Sequence, residues 1–144
     1  MVEEIKKLIQ KVKSEKGDII LFMLWKDIAD FDKWSVIISA NWIDKIEQRK
    51  ALNYWLILLQ KSLSNKDLDS IGRISFLKSH DRFVKLFTSA LNVSGGPMYF
   101  KNSEVGNYYI HDAIIFEAKK TILPKKQNIY QKNPTLNGSI NPNI

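Results

Sequence analysis

The sequence predicts an α+β fold, a single domain with a mixed or mainly antiparallel sheet of about five strands and helices packed on it. Apolar runs of strand length alternate with stretches whose apolar residues recur at three- and four-residue steps, as in amphipathic helices. The first two strand-like runs are separated by only eight residues, Lys26 to Lys33. A parallel crossover usually needs a dozen or more residues, so these two strands are expected to pair antiparallel.

The first elements follow from simple patterns. Val2, Ile5, Leu8, Ile9 and Val12 form an apolar stripe, which predicts a helix over residues 2–15 that ends before Gly17. Residues 19–25 are a continuous apolar run, typical of a strand buried on both faces. Residues 34–40 are the next strand.

The central helix is predicted over residues 44–63. Asp44 is a fair N-cap, and Glu47 stands three residues later in the position of a capping-box carboxylate. The apolar residues recur at helical spacing and predict the face toward the sheet: Leu52, Trp55, Leu56, Leu59 and Leu63. Tyr54, Ile57 and Leu58 are apolar too, so a second layer or a partner subunit must cover them.

The second half of the chain continues this alternation. Residues 73–78 alternate as a third strand, and Ser79 or Asp81 is placed to cap a helix whose stripe runs from Phe83 to Leu91. Residues 92–97 contain Gly95-Gly96-Pro97 and predict a turn. Residues 98–101 and 108–119 are predicted as the last two strands, joined by a turn at Gly106 and Asn107.

Composition limits the class of protein. A hydrophobic content of 44% with 26% charged residues is ordinary for a soluble domain. The apolar runs are much shorter than the roughly 20 residues of a membrane-spanning helix. The chain has no cysteine, which excludes disulfides and zinc–thiolate sites. We therefore expect a cytoplasmic protein without membrane contact, metal or cofactor.

Charge and apolar pattern both change near the C-terminus. Residues 1–123 are predicted as the domain, and residues 124–144 as a polar basic tail without a folded pattern, because apolar periodicity stops there. The net charge is +7, and the visible clustering of lysines is at Lys119, Lys120, Lys125 and Lys126. These four are the candidate nucleic-acid-binding residues, although such an excess is more often solvated surface.

Glu117-Ala118-Lys119 is the sharpest chemical motif. Metal-dependent nucleases use an acidic residue and a lysine two positions apart on a strand, together with a second acid. Asp112 is the nearby acid, but five residues of regular strand place it on the opposite face from Glu117. The catalytic candidates are thus Asp112, Glu117 and Lys119, and the simpler interpretation is that Glu117 and Lys119 lie on the solvent face of an edge strand.

Two functional classes remain. The first is a non-enzymatic interaction module or accessory subunit, with self-association as a homodimer through Tyr54, Ile57 and Leu58. The second is a nucleic-acid-associated protein. One form of this hypothesis is a metal-dependent nuclease that uses Glu117 and Lys119. The sequence has no complete catalytic set, which favours the first class.

Overall fold

The computed structural model describes residues 1–26 and 32–120. Five helices and five strands make up this part of the chain, in the α+β class that the sequence predicts. The helices are α1 (Val2–Lys16), α2 (Asn41–Asp44), α3 (Gln48–Ser62), α4 (Asn65–Asp69) and α5 (Arg82–Ala90). The strands are β1 (Leu21–Lys26), β2 (Trp34–Ser39), β3 (Ile71–Phe76), β4 (Val93–Val105) and β5 (Tyr108–Ala118).

The strands form one mixed sheet in the order β3-β2-β1-β5-β4. β1 pairs antiparallel with β2, as the short connection requires, and also antiparallel with β5. β4 and β5 form an antiparallel hairpin around Gly106 and Asn107. β2 and β3 are parallel, because the chain between them crosses over through α2, α3 and α4.

Helices cover both faces of the sheet. On the side that we call the α1 side, Ile5 and Ile9 of α1 and Trp55 of α3 pack on Phe22 of β1 and Phe116 of β5. On the other side, which we call the α5 side, α5 packs on the residues of β1 and β5 that alternate with these. β1 lies between the two layers, and Leu21 to Leu24 are completely buried, as predicted for a strand covered on both faces.

The central helix differs from the prediction at its start and in its rotation. Asp44 ends the short helix α2 and is not the N-cap of α3, which begins at Gln48. Its Oδ2 instead accepts a hydrogen bond from the backbone N–H of Ser79 at 3.1 Å. Glu47 stands at the N-cap of α3 without a side-chain capping bond. The innermost line of α3 is Ala51, Trp55 and Leu59. Leu56, predicted to face the sheet, is 37% exposed.

The glycine-rich turn predicted at residues 92–97 is part of β4. Ser94 pairs with Glu117 and Met98 with Ile115, so three residues of β4 are inserted opposite Phe116. Gly96 permits this irregularity, because a Cβ there would lie 2.5 Å from the carbonyl oxygen of Ile115. Pairing with β5 therefore overrides the local turn preference.

The remaining predictions have mixed outcomes. Asp81, one of the two predicted caps, is the N-cap of α5. Its Oδ1 accepts a hydrogen bond from the N–H of Phe83 at 2.8 Å. The division into a domain of residues 1–123 and a tail of residues 124–144 stays a prediction, since residues 121–144 lie outside the described part. Within the described residues, no helix is both long and apolar enough to cross a membrane.

Candidate functional site

An apolar groove runs between α3 and the strand β3 at one edge of the sheet. Its volume is about 370 Å³. Eight residues line it: Leu52, Leu56, Leu59, Leu68, Ile71, Gly72, Arg73 and Ile74. All but the glycine and Arg73 are aliphatic. Because the inner line of α3 is taken up by the core, Leu52 and Leu56 are left on the flank of the helix that faces this groove.

The groove adjoins an open sheet edge. β3 is the outermost strand on its side, and within residues 1–26 and 32–120 no strand pairs with its outer edge. The N–H of Leu77 donates to the carbonyl of Ile38 in β2 at 3.0 Å. Alternate residues of a strand direct their backbone groups to opposite neighbours, so Ile74 and Phe76 direct theirs outward. The edge thus offers hydrogen-bonding groups beside apolar side chains.

The side chains predicted to form a homodimer are distributed differently. Tyr54 and Leu58 are half-buried and pack against the core of the α1 side. The ring of Tyr54 contacts Trp42 with centroids 5.7 Å apart, and Lys16 Nζ lies 5.3 Å from its centroid. Burial raises the pKa of Tyr54, and the negative charge of Glu15 raises it further. Ile57 is 51% exposed and is not among the residues that line the groove.

Glu117 is the most deeply buried charged side chain of the described residues. It is 0% exposed, and its Oε2 lies 3.3 Å from Nζ of Lys13 in α1. The backbone N–H of Gly95 donates to the same oxygen at 2.8 Å. The prediction of a solvent-facing Glu117 on an edge strand is therefore wrong: β5 is an inner strand, and the carboxylate joins α1, β4 and β5.

A bulge at Phe116 changes the relation of Glu117 to Asp112. Met23 of β1 pairs with Ile115 and Phe22 pairs with Glu117, which leaves Phe116 as an extra residue. Phe116 and Glu117 consequently both face the α1 side, and alternation puts Ile114 and Asp112 there too. The expected placement on opposite faces is wrong. Even so, five residues of strand separate the two carboxylates by roughly 15 Å, too far to share one metal ion.

The lysine candidates are only partly described. Lys119 is half-buried and its N–H donates to the carbonyl of Ile20 at 2.9 Å, while Lys120 is exposed. Lys125 and Lys126 lie outside the described residues. The ion pair of Glu117 is with Lys13 and so does not reproduce the predicted Glu117 and Lys119 arrangement. The catalytic and nucleic-acid assignments of these residues stay predictions.

Neither metal-binding groups nor comparisons with known proteins point to a function for this chain. Across residues 1–26 and 32–120, no three or more acidic or histidine side chains are placed to hold a metal ion. No protein-family model, curated protein or solved structure matches this chain. The groove and the open edge of β3 are therefore interpreted from their own geometry.

Sequence reasoning did not find this groove. The sequence predicts Leu52, Leu56 and Leu59 on the sheet-facing side of α3, and the other wall of the groove depends on β3 lying at the edge beside β2. The almost all-round apolar character of α3 was the only local signal. It correctly indicated that the helix has apolar residues beyond those needed for one face, but it pointed to Tyr54, Ile57 and Leu58 and not to Leu56.

Proposed function

We propose that this protein is a non-enzymatic interaction module, or accessory subunit, that binds an extended segment of a partner protein along β3. The observation that carries the proposal is the apolar groove beside an open strand edge. An extended segment can add to such an edge as a further strand, with main-chain hydrogen bonds for affinity and side-chain pockets for specificity.

The dimensions of the site suit this mode of binding. β3 has six residues, which an added strand of the same length spans in about 20 Å. Alternate side chains of that strand would point into the groove and contact Leu56 and Ile74, while the intervening side chains face the other way. An aliphatic groove of this kind accepts valine, isoleucine or leucine at those alternate positions.

The proposal also explains why α3 is apolar on its flank. Each aliphatic side chain that goes from water to a dry contact contributes roughly 1.5–3 kcal/mol. Leu52 and Leu56 remain incompletely buried in the single chain, so a bound strand would complete their burial. Because natural proteins usually protect a sheet edge, an open edge with an apolar groove is a recognisable interaction surface.

Self-association is the second candidate, and the exposed Ile57 favours it. In this arrangement two copies meet at Ile57, with Tyr54 and Leu58 at the margin of the contact. The intramolecular packing of Tyr54 and Leu58 makes such an interface small. Sedimentation at increasing protein concentration tests it, and Ile57→Glu should convert a dimer to a folded monomer. A monomer at tens of micromolar for the wild type contradicts it.

A synthetic peptide tests the proposed strand addition without knowledge of the natural partner. The probe is an eight-residue peptide that alternates valine with threonine, titrated into the isotopically labelled protein. We expect amide resonances of β3 and α3 to shift, because the new strand pairs with the first and contacts the second. Resonances of α5, on the other side of the sheet, serve as the internal reference.

Two adjacent substitutions make the test specific. Leu56→Asp places a charge in the groove and should abolish the shifts, whereas Ile57→Asp alters an exposed aliphatic residue of the same helix outside the groove. Both positions are exposed enough for the folded chain to accept a charge. Equal loss of binding in the two variants, or no shift at β3 in the wild type, contradicts the proposed site.

A further inference from the structure

We infer that the segment bound along β3 is acidic, with carboxylates at positions between its apolar residues. This inference rests on the proposed function and names the chemistry of the partner. Three observations support it. The basic residues lie near β3 in the sequence, Arg73 lies on β3 itself, and two copies of β3 would repel each other through their like charges.

The excess positive charge of residues 1–120 lies in the segment that supplies the walls of the groove. Residues 1–120 carry a net charge of +4, and residues 48–78, which include α3, α4 and β3, carry the same net charge with six basic and two acidic residues. The six are Arg49, Lys50, Lys61, Lys66, Arg73 and Lys78. The rest of the body is balanced. A field of one sign around a binding cleft attracts segments of the opposite sign.

The two acidic residues of this region do little to offset that field. Asp67 Oδ2 lies 3.5 Å from the ammonium group of Met1, which also contacts Glu4. Asp69 is exposed, but its carbonyl accepts a hydrogen bond from Nζ of Lys33, which brings a further positive charge to the neighbourhood. The local balance therefore stays positive.

Arg73 places a cation on the strand edge itself. It is exposed, and it pairs with Ser35, which alternates with the buried Val36 of the α1 side. Its side chain therefore lies on the face toward which the intervening residues of an added strand point. Gly72 before it packs against Lys33, whose Cβ is 2.9 Å from where a Cβ of residue 72 would lie. A guanidinium group can hold a carboxylate through two parallel hydrogen bonds. Arg49 lies one turn before Leu52 on α3 and extends the positive rim along the same flank.

The same charge argues against a second copy as the occupant. If β3 paired antiparallel with β3 of another molecule, two copies of Arg73 would approach each other near the middle of the ladder, and two regions of charge +4 would face each other. Like charges directly opposite each other destabilise a strand pair. A charge on an edge is also a known device against self-pairing, so Arg73 selects against the identical edge and for an acidic one.

Three alternating peptides test the inference. One alternates valine with glutamate, one valine with lysine, and one is the neutral valine–threonine peptide. For the wild-type protein at low salt, we expect the glutamate peptide to bind about fivefold or more tightly than the neutral peptide and the lysine peptide to bind more weakly than either. The advantage of the glutamate peptide should shrink as salt is added.

Charge-reversed variants locate the effect. Arg73→Glu should reverse the order of the glutamate and lysine peptides, because it changes the sign of the charge on the edge. Lys50→Glu is the matched control: it makes the same change in net charge on an exposed residue of α3 that does not line the groove. The control should keep the wild-type order.

The outcomes separate this inference from the proposed function. If all three peptides shift β3 with equal affinity, the acidic inference is wrong and strand addition stands. If Lys50→Glu and Arg73→Glu have equal effects, the preference is a property of net charge, and the role of Arg73 at the edge is contradicted. If none of the peptides shifts β3, the proposed function itself is contradicted.

Discussion

Lys13 of α1 and Glu117 of β5 form an ion pair, with Nζ 3.3 Å from Oε2, around a carboxylate that is completely buried. The pair connects the first helix to the last strand of the described chain. Glu117 also accepts the N–H of Gly95, where β4 departs from regular pairing. One side chain thus holds three elements together at the same end of the sheet.

We predict that Lys13→Met strongly destabilises the fold. The substitution leaves a buried carboxylate without its cation, a loss of roughly 3 kcal/mol or more. For a domain of this size, the melting midpoint should fall by about 10 °C or more. Thermal unfolding measures this, with Lys11→Met, an exposed lysine of the same helix, as the control.

A second substitution tests the cause of that loss. Adding Glu117→Gln to Lys13→Met removes the unpaired charge while keeping an acceptor for the N–H of Gly95. We expect the double variant to be more stable than Lys13→Met alone. A double variant whose loss is the sum of the two single losses would show that the residues do not act as a pair.

Tyr54 should make the stability of the protein depend on pH in the alkaline range. Its pKa is raised, first by burial and then by Glu15. A raised folded-state pKa stabilises the fold below the unfolded value of about 10, and this contribution is lost as the pH rises through the folded-state pKa. Between about pH 9 and 11, the wild type should lose more stability than Tyr54→Phe.

Denaturant unfolding at several pH values measures this difference. Tyr99→Phe is the matched control, because Tyr99 is 62% exposed. It should follow the wild-type curve. If Tyr54→Phe does so as well, Tyr54 titrates alike in the folded and unfolded chains.

Nucleic-acid binding by this protein should be weak, non-specific and dependent on salt. The lysines predicted to carry it, Lys119, Lys120, Lys125 and Lys126, would act by releasing counterions from phosphates. Replacing the four with glutamine should flatten the dependence of affinity on salt. The same number of lysines replaced elsewhere, at Lys6, Lys7, Lys11 and Lys16 of α1, is the control.

Two results would contradict this view of the basic residues. Sequence-selective binding that persists at high salt requires base contacts and not only phosphate contacts. Metal-dependent cleavage of nucleic acid that disappears with Glu117→Gln, in a variant that is still folded, would show that the protein is a nuclease and not an interaction module.

The sequence predicts elements well where local pattern and final packing agree. The seven apolar residues from Ile19 to Trp25 correspond to β1, and the stripe of α1 corresponds to its buried face. Gly95 and Gly96 show the opposite case, because their turn preference is local while their place in β4 depends on pairing with a later strand. Distant partners, which no local pattern contains, decide that region.

The candidate site was less accessible to sequence reasoning than the fold. The rotation of α3 was misjudged because apolar residues occur almost all round it, so periodicity does not distinguish the face with Leu56 from the face with Ala51. The burial of Glu117 depends on a lysine near the other end of the chain. The open edge depends on strand order, which follows from the whole set of crossovers.

The position of β1 at the centre of the sheet has a consequence for synthesis. Its first neighbour, β2, is made soon after it, but its second neighbour is β5, in which Ala118 pairs with Leu21. Until β5 is complete, the most apolar strand of the protein keeps one edge unpaired. Sheets with such distant pairings fold slowly, and exposed apolar edges aggregate. Aggregation therefore competes with folding for as long as the nascent chain lacks β5.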